Sequence, residues 1–253
     1  MEGTAVLERV TWRVAKVVAV HDETPTARTI ALAVRDWPGH IAGQHVDVRL
    51  TAADGYSAVR SYSIASAPTS DGRIEITVER LPNGEVSPYL TQQVMIGDEL
   101  ELRGPIGGWF VWRSDETEPI QLVAGGSGIV PLMAMIRSRR STGSSAPFRL
   151  VYSVREPERV FYRDELRAVS NQGDSVVITY AYTRVPPKDW PRPAGRIDAP
   201  LIAMGTWPST LRPTSYVCGP TPFVEHATDL LIAAGHDRER IRTERFGATG
   251  ERR

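Results

Sequence analysis

The hydrophobic period of this chain of 253 residues changes once, near residue 117, and that change constrains the fold more than any single motif. Before it, apolar and polar residues alternate over 12–18, 28–34, 44–50, 73–79 and 98–102. Such alternation buries one face of a strand and leaves the other outside. Turn signals separate the runs: Trp37-Pro38-Gly39, Asp54-Gly55, Asp71-Gly72, Pro82-Asn83-Gly84 and Gly97-Asp98. Short, regularly spaced strands of this kind predict a closed or nearly closed antiparallel β-barrel, interrupted by one helical segment at about 88–95.

After the polar stretch 113–119 the pattern is different. Ile120-Gln121-Leu122-Val123-Ala124 is a compact apolar strand running into Gly125-Gly126-Ser127-Gly128. Helices are predicted at 129–140, 162–169 and 222–234, with Pro131 tolerated in a first turn and Gly235 closing the last. Strands at 148–152, 176–182 and 216–218 alternate with them, which predicts βαβ units on a parallel sheet. Two domains follow: 1–116 as the barrel and 117–253 as the α/β unit.

Composition narrows the chemistry. A 41% hydrophobic content excludes disorder, and no apolar run approaches the roughly 18 residues of a membrane span. Met1-Glu2-Gly3-Thr4 has neither a basic nor an apolar leader pattern, so a cytoplasmic protein with no membrane or nucleic-acid partner is expected. The single cysteine, Cys218, excludes an intramolecular disulfide, a four-cysteine zinc site and a cysteine-ligated iron–sulfur cluster within these residues. His21, His40, His45, His226 and His236 show no metal-ligand spacing, so they are read as ordinary loop or surface residues and no metal is expected. Residues 1–116 carry 11 basic and 16 acidic side chains, against 19 and 14 in 117–253. Nearly all the cations are arginines. That favours an anionic ligand or acidic partner on the second half, unless it reflects no more than an arginine-rich composition.

Two local patterns carry candidate chemistry. In a βα turn, Gly125-Gly126-Ser127-Gly128 aims backbone N–H groups at a pyrophosphate, although glycines also serve a merely tight turn. Arg60-Ser61-Tyr62-Ser63, with Gly84-Glu85-Val86-Ser87, offers a phosphate clamp, a stacking ring and hydroxyl donors; an arginine–acid pair and a core tyrosine are the alternative.

In one order along the chain stand Arg60-x-Tyr62-Ser63, Gly84-x-Val86-Ser87-x-Tyr89-Leu90, Gly104-Pro105-Ile106-Gly107-Gly108-Trp109-Phe110, Gly125-Gly126-Ser127-Gly128-Ile129-x-Pro131, Cys218-Gly219-Pro220 and Ile241-x-x-Glu244-x-Phe246. Six motifs in register, from about residue 12 to Phe246, resemble the ferredoxin–NADP⁺ reductase superfamily. The resemblance implies a flavin-binding antiparallel β-barrel followed by a Rossmann-like α/β parallel-sheet nicotinamide domain. It places Arg60 on the flavin pyrophosphate, Tyr62 and Phe246 on the two flavin faces, and Ser63 near flavin N5. Gly84, Val86 and Ser87 would cradle the FAD phosphates, with Val78 among the FAD contacts. Gly125, Gly126, Ser127 and Gly128 would hold the nicotinamide dinucleotide, with Gly219 and Pro220 beside it. Ser63, Cys218 and Glu244 would be the catalytic set, Cys218 next to the nicotinamide and Glu244 serving charge balance or a proton relay.

Ser153, Arg155, Thr183 and Arg184, after the second and third α/β strands, would meet the adenosine ribose. The Thr183-Arg184 pair leans the expectation to NADPH over NADH, with Arg184 as main contact and Arg155 second. Ser127 stands where the family commonly has threonine, and seven residues follow Phe246. The implied activity is that of an FAD-dependent NAD(P)H oxidoreductase. With no cluster in the chain, its expected acceptor is a separate ferredoxin serving an oxygenase or cytochrome P450. The alternatives are a reductase of free flavin, quinone or ferric chelates, and a flavin-binding electron-transfer or regulatory subunit that uses no nicotinamide.

Overall fold

The computed structural model describes residues 11–171 and 176–247; the first four residues and the tail after Gly247, both used above, lie outside them. The first sheet is built from β1 (Trp12–Thr24), β2 (Ala27–Val34), β3 (His45–Thr51), β4 (Ser57–Ser63), β5 (Arg73–Glu79) and β6 (Glu99–Ile106), with the short helix α1 (Ser87–Gln92) between the last two. The strand order is β4-β3-β6-β1-β2-β5, every pairing antiparallel. A bridge between Ile64 and Ile76 and a hydrogen bond from Ala65 N to Glu75 O (2.7 Å) join the two end strands. That seam makes the sheet the barrel expected from the alternation, and it leaves little free edge for stray pairing. The barrel interior is filled by the inward set: Val17, Ile30, Leu32, Val46, Val48, Ile74, Ile76, Val78 and Leu102 are all fully buried.

The second sheet holds β7 (Ile120–Gly125), β8 (Phe148–Val154), β9 (Val176–Tyr182), β10 (Thr214–Pro220) and β11 (Ile241–Phe246) in the order β11-β10-β7-β8-β9, all parallel. Helices α2 (Ile129–Thr142), α3 (Arg163–Asn171), α4 (Ala199–Gly205) and α5 (Thr221–Ala233) cover it. Strand β7 is buried along its whole length and β10 along all but its last residue, as central parallel strands are. Residues 129–136 of α2 are buried on every side, because that helix lies between the sheet and the barrel. It ends where Gly143 takes φ +66° and its N–H returns to Arg139 and Arg140 carbonyls, a left-handed cap. Among the described residues no helix is long and apolar enough to cross a membrane. No cluster of metal-ligating side chains occurs among them either.

Several expectations shift. The segment 57–63 is a full strand, α4 and β11 were not anticipated, and the short helix spans Ser87–Gln92 rather than 88–95. Of the histidines, His40 and His236 lie in loops, as allowed, but are buried, and His45 is on strand β3, inside the site described next. Nor does the outer face of β5 meet water along its length, since Thr77 is 5% exposed.

Candidate functional site

The chain leaves β7 on one side and returns through β10 on the other, so the order of the parallel sheet reverses between these two strands. In open α/β sheets such a reversal opens a crevice at the carboxyl ends of the strands. The turn Gly125-Gly126-Ser127-Gly128 and the triplet Cys218-Gly219-Pro220 both lie there. Gly126 has φ +55° and nothing within 4 Å of where a Cβ would stand. Gly128 is glycine for the opposite reason, because a Cβ would lie 2.1 Å from the Cys218 carbonyl oxygen. The Phe223 ring covers Gly125 and Gly219 in the same way. Of the four, Gly126 is open, while the Ser127 hydroxyl already donates to Glu79 Oε2 (2.7 Å); the N-terminus of α2 lies just beyond. Glycines at Gly125, Gly128 and Gly219 serve packing that brings turn and strand together.

Two ladder rungs deliver the reactive side chains. Across β10 and β11, Cys218 stands opposite Glu244; across β3 and β4, His45 stands opposite Ser63. The rungs face each other, with His45 Nδ1 3.8 Å from Glu244 Oε1. Cys218 is 1% exposed, and burial, with the Glu244 carboxylate beside it, raises its thiol well above the ordinary range, so it stays protonated. Burial also raises Glu244, to about 7, and its Oε2 is buried with no hydrogen-bond partner. Burial lowers the His45 ring below 6.5 despite nearby Asp47, so the contact near neutrality is between a neutral imidazole and a half-ionised acid. His45 was passed over in the sequence because no spacing distinguishes it. Its only signal is the antiparallel register with Ser63.

The rest of the expected flavin set is distributed over the barrel. Tyr62 packs against the barrel core, and burial raises its phenol. Phe246 is 37% exposed at the end of β11. Arg60 is exposed; one guanidinium nitrogen donates to its neighbour's carbonyl, Val59 O (2.8 Å), and another donates to Glu85, which also accepts from Tyr56 Oη (2.7 Å). The arginine–acid pair named as the alternative is therefore present. Its acid lies inside the Gly84-Glu85-Val86-Ser87 turn, where a phosphate was expected. The Ser87 hydroxyl already accepts from Leu81 N (3.0 Å), and Val86 and Val78 are spent on the barrel core. For those two, only backbone is available to a ligand.

At the far end of the crevice, Ser153 is buried, and Arg184 N donates to Arg155 O (3.0 Å), which brings the ends of β8 and β9 together. The Arg155 and Arg184 guanidinium groups make no ion pair or hydrogen bond to a described residue. Two free cations beside Thr183 suit an extra phosphate. An open, left-handed Gly126 and an orphaned carboxylate oxygen on Glu244 fit a nicotinamide dinucleotide and a flavin ring between them, whereas Arg60 fits a flavin phosphate only if that phosphate displaces Glu85.

Comparison with known proteins gives the same assignment. Residues 18–111 match the family described as oxidoreductase FAD-binding domain, and residues 122–229 that described as oxidoreductase NAD-binding domain. The chain is 30% identical over 209 residues to the glycine betaine monooxygenase reductase subunit of Chromohalobacter salexigens, covering 82% of this chain and 56% of that one. It thus spans about half the length of such curated relatives. The FAD/NAD-binding domain of a Vibrio cholerae nitric oxide dioxygenase superposes with a TM-score of 0.81 at 23% identity, covering 94% of this chain and 100% of that one. The ferredoxin reductase in carbazole 1,9a-dioxygenase does so with a TM-score of 0.78 at 26% identity, covering 96% and 71%.

Proposed function

The chain belongs to the ferredoxin–NADP⁺ reductase superfamily of FAD-dependent NAD(P)H oxidoreductases, and from that premise we propose that it passes electrons from NADPH, by way of FAD, to a separate ferredoxin-type protein serving an oxygenase or cytochrome P450. The observation that carries the reading is the meeting of two rungs from different sheets, Ser63–His45 and Cys218–Glu244, around one buried, unpartnered carboxylate oxygen. Reductase names among the relatives support the acceptor class.

When bound, FAD supplies the hydride acceptor and the one-electron outlet; the protein supplies alignment, water exclusion and proton handling. Arg60, released from Glu85, and the backbone of the 84–87 turn would hold its phosphates, Tyr62 would pack on its ring, and Ser63 would hydrogen-bond near its reactive nitrogen. Gly126, the Ser127 backbone and the start of α2 would hold the dinucleotide phosphates, while Arg184 and Arg155 would grip a 2′-phosphate. The neutral Cys218 thiol would lie beside the nicotinamide without adding a charge there. Glu244, poised at about 7, is placed to accept or return a proton at its unpartnered Oε2, with the neutral His45 ring 3.8 Å from its other oxygen. In this reading residues 1–116 are the flavin domain and 117–253 the nicotinamide domain.

The test is anaerobic titration of the FAD-loaded protein with NADPH and NADH, followed by cytochrome c reduction with and without added ferredoxin. Bleaching of the flavin by NADPH and ferredoxin-dependent reduction are expected. Turnover insensitive to ferredoxin would move the acceptor to a small diffusible molecule. Absence of bleaching by either nucleotide would leave a flavin-binding subunit that uses no nicotinamide.

A further inference from the structure

Strand β5 places Glu75, Thr77 and Glu79 on one side, the alternate positions to the buried Ile74, Ile76 and Val78. Each of the three bonds to the second half of the chain. Glu75 accepts from Arg137 Nη1 (2.9 Å), Thr77 Oγ1 from Tyr162 Oη (2.5 Å), and Glu79 from Ser127 Oγ (2.7 Å). The strand also forms the barrel seam, one residue beyond Ser63.

Arg137 is the most heavily engaged of these partners. It lies on α2, two turns past the glycine-rich turn, and reaches three other elements. Its Nε and Nη2 fork onto the Glu165 carboxylate of α3 at 2.6–3.2 Å, and its Nη1 also bonds the Ala65 carbonyl (3.0 Å), two residues after Ser63. Its guanidinium carbon lies 4.9 Å from the centre of the Tyr162 ring. Tyr162 holds φ +53°, a conformation that bulky residues avoid, with its N–H bonded to Glu23 Oε2 (2.9 Å) and its side chain 4% exposed. Strain of that kind persists only where the surroundings over-determine it.

We infer that the outer face of β5 is a rail that sets the spacing between the Ser63 end of the barrel and the Gly126–Ser127 turn, and that Arg137 is its positioning residue for hydride transfer. The inference rests on the hydride-transfer reading above. Carried by the nucleotide-side helix α2, one planar guanidinium grips Glu165 of α3, Glu75 of β5 and the backbone beside Ser63 at once, a geometry lysine cannot reproduce. A shift of about 1 Å between reacting groups is enough to cost large factors in rate. The residue therefore acts without touching either cofactor.

The test uses the full FAD-loaded chain with Arg137→Met, Arg137→Lys and Thr77→Val, read by hydrogen–deuterium exchange and anaerobic stopped-flow reduction. In Arg137→Met, exchange should rise at 63–66 and 126–130 and stay unchanged in β1, β2 and β8. The limiting rate of flavin bleaching should fall roughly tenfold while the half-saturating nucleotide concentration moves less than about twofold, with Arg137→Lys in between. Thr77→Val should shift both readouts in the same direction, and it replaces Arg137→Met if that variant does not fold. Unchanged exchange at both segments would overturn the rail. Raised exchange with an unchanged limiting rate would overturn the positioning role. Wild-type protein that neither nucleotide bleaches would overturn the hydride reading and that role together, with exchange alone then deciding the rail.

Discussion

Glu244→Gln is the substitution whose consequence can be worked furthest from the structure. Burial lifts this carboxyl from its ordinary 4.5 to about 7. The rise corresponds to about 3 kcal/mol of penalty on the ionised form, an upper limit because 25% of the side chain reaches water. A group whose folded-state value lies above its unfolded one contributes its full stability below pH 4.5. As pH climbs, the unfolded chain ionises first, and the contribution drains away until the folded carboxyl ionises near 7. Glutamine keeps the shape and cannot ionise. The variant should therefore gain on the wild type between pH 4.5 and 7 and hold a constant advantage above it. For a chain of this size, about 3 kcal/mol corresponds to roughly 6–12 °C in Tm. Thermal unfolding of both proteins from pH 5 to 8.5, without FAD, measures the difference directly. A difference that stays flat across that range would refute the burial argument, and with it the poise of Glu244 as a proton carrier. In the FAD-loaded protein the same substitution should remove any limb near pH 7 from the pH profile of flavin reduction.

Arg60→Ala should weaken FAD binding by roughly 10- to 100-fold, the worth of a charge-assisted hydrogen bond, and lower the melting temperature of the loaded protein; a fully yellow variant with unchanged melting would place the flavin phosphate elsewhere. Cys218→Ala should slow flavin reduction in stopped flow while leaving FAD bound and nucleotide affinity little changed, since alignment acts on the transition state. Arg184→Ala should lower the NADPH-to-NADH ratio of kcat/KM by roughly tenfold through loss of a charged phosphate contact, and a wild type that prefers NADH, or an unmoved ratio, would exclude the assignment.

The two sheets were legible because they differ in period: Ile74, Ile76 and Val78 alternate with polar neighbours, whereas Ile120–Gly125 of β7 is buried throughout. Alternation does not say what the polar side meets. Glu75, Thr77 and Glu79 look like a solvent face in sequence, yet they face another domain. Strand β11 escaped for a related reason. Ile241-Arg242-Thr243-Glu244-Arg245-Phe246 has no apolar run, and it is a strand because β10 lends it a parallel partner. Backbone geometry explains two of the glycines singled out in the sequence, a positive φ with open space at Gly126 and a close approach to Cys218 at Gly128, the second for packing rather than for a ligand. The site was not legible at His45, whose role depends on which residue lies across a ladder. At Arg60 the sequence admitted two readings, and the structure shows the ion pair with Glu85 on the very turn assigned to phosphate. Glu85 thus already presents an anion to the guanidinium, and a flavin phosphate would have to displace a carboxylate to reach it.

The arrangement also constrains how the site can fail. Ser63 and His45 are fixed by one antiparallel rung, Cys218 and Glu244 by one parallel rung. A slip of one residue in either ladder would turn the side chains to the opposite face, so each pair is kept or lost together. The distance between pairs belongs to neither sheet. Covalently the chain runs from β6 to β7 through the polar stretch 113–119, which sets little by itself. The setting falls instead to the bonds between β5 and the second half, buried at Thr77 and part-buried at Glu75 and Glu79, to the packing of Ala42, Ala65, Phe110 and Trp112 in one core with α2, and to the 3.8 Å approach of His45 and Glu244. Two of the three β5 contacts use a carboxylate, and a carboxylate bond costs its partner's desolvation when broken on one side only. Substitutions along β5 should therefore perturb the joint between the halves sooner than either half, and do so without touching a cofactor.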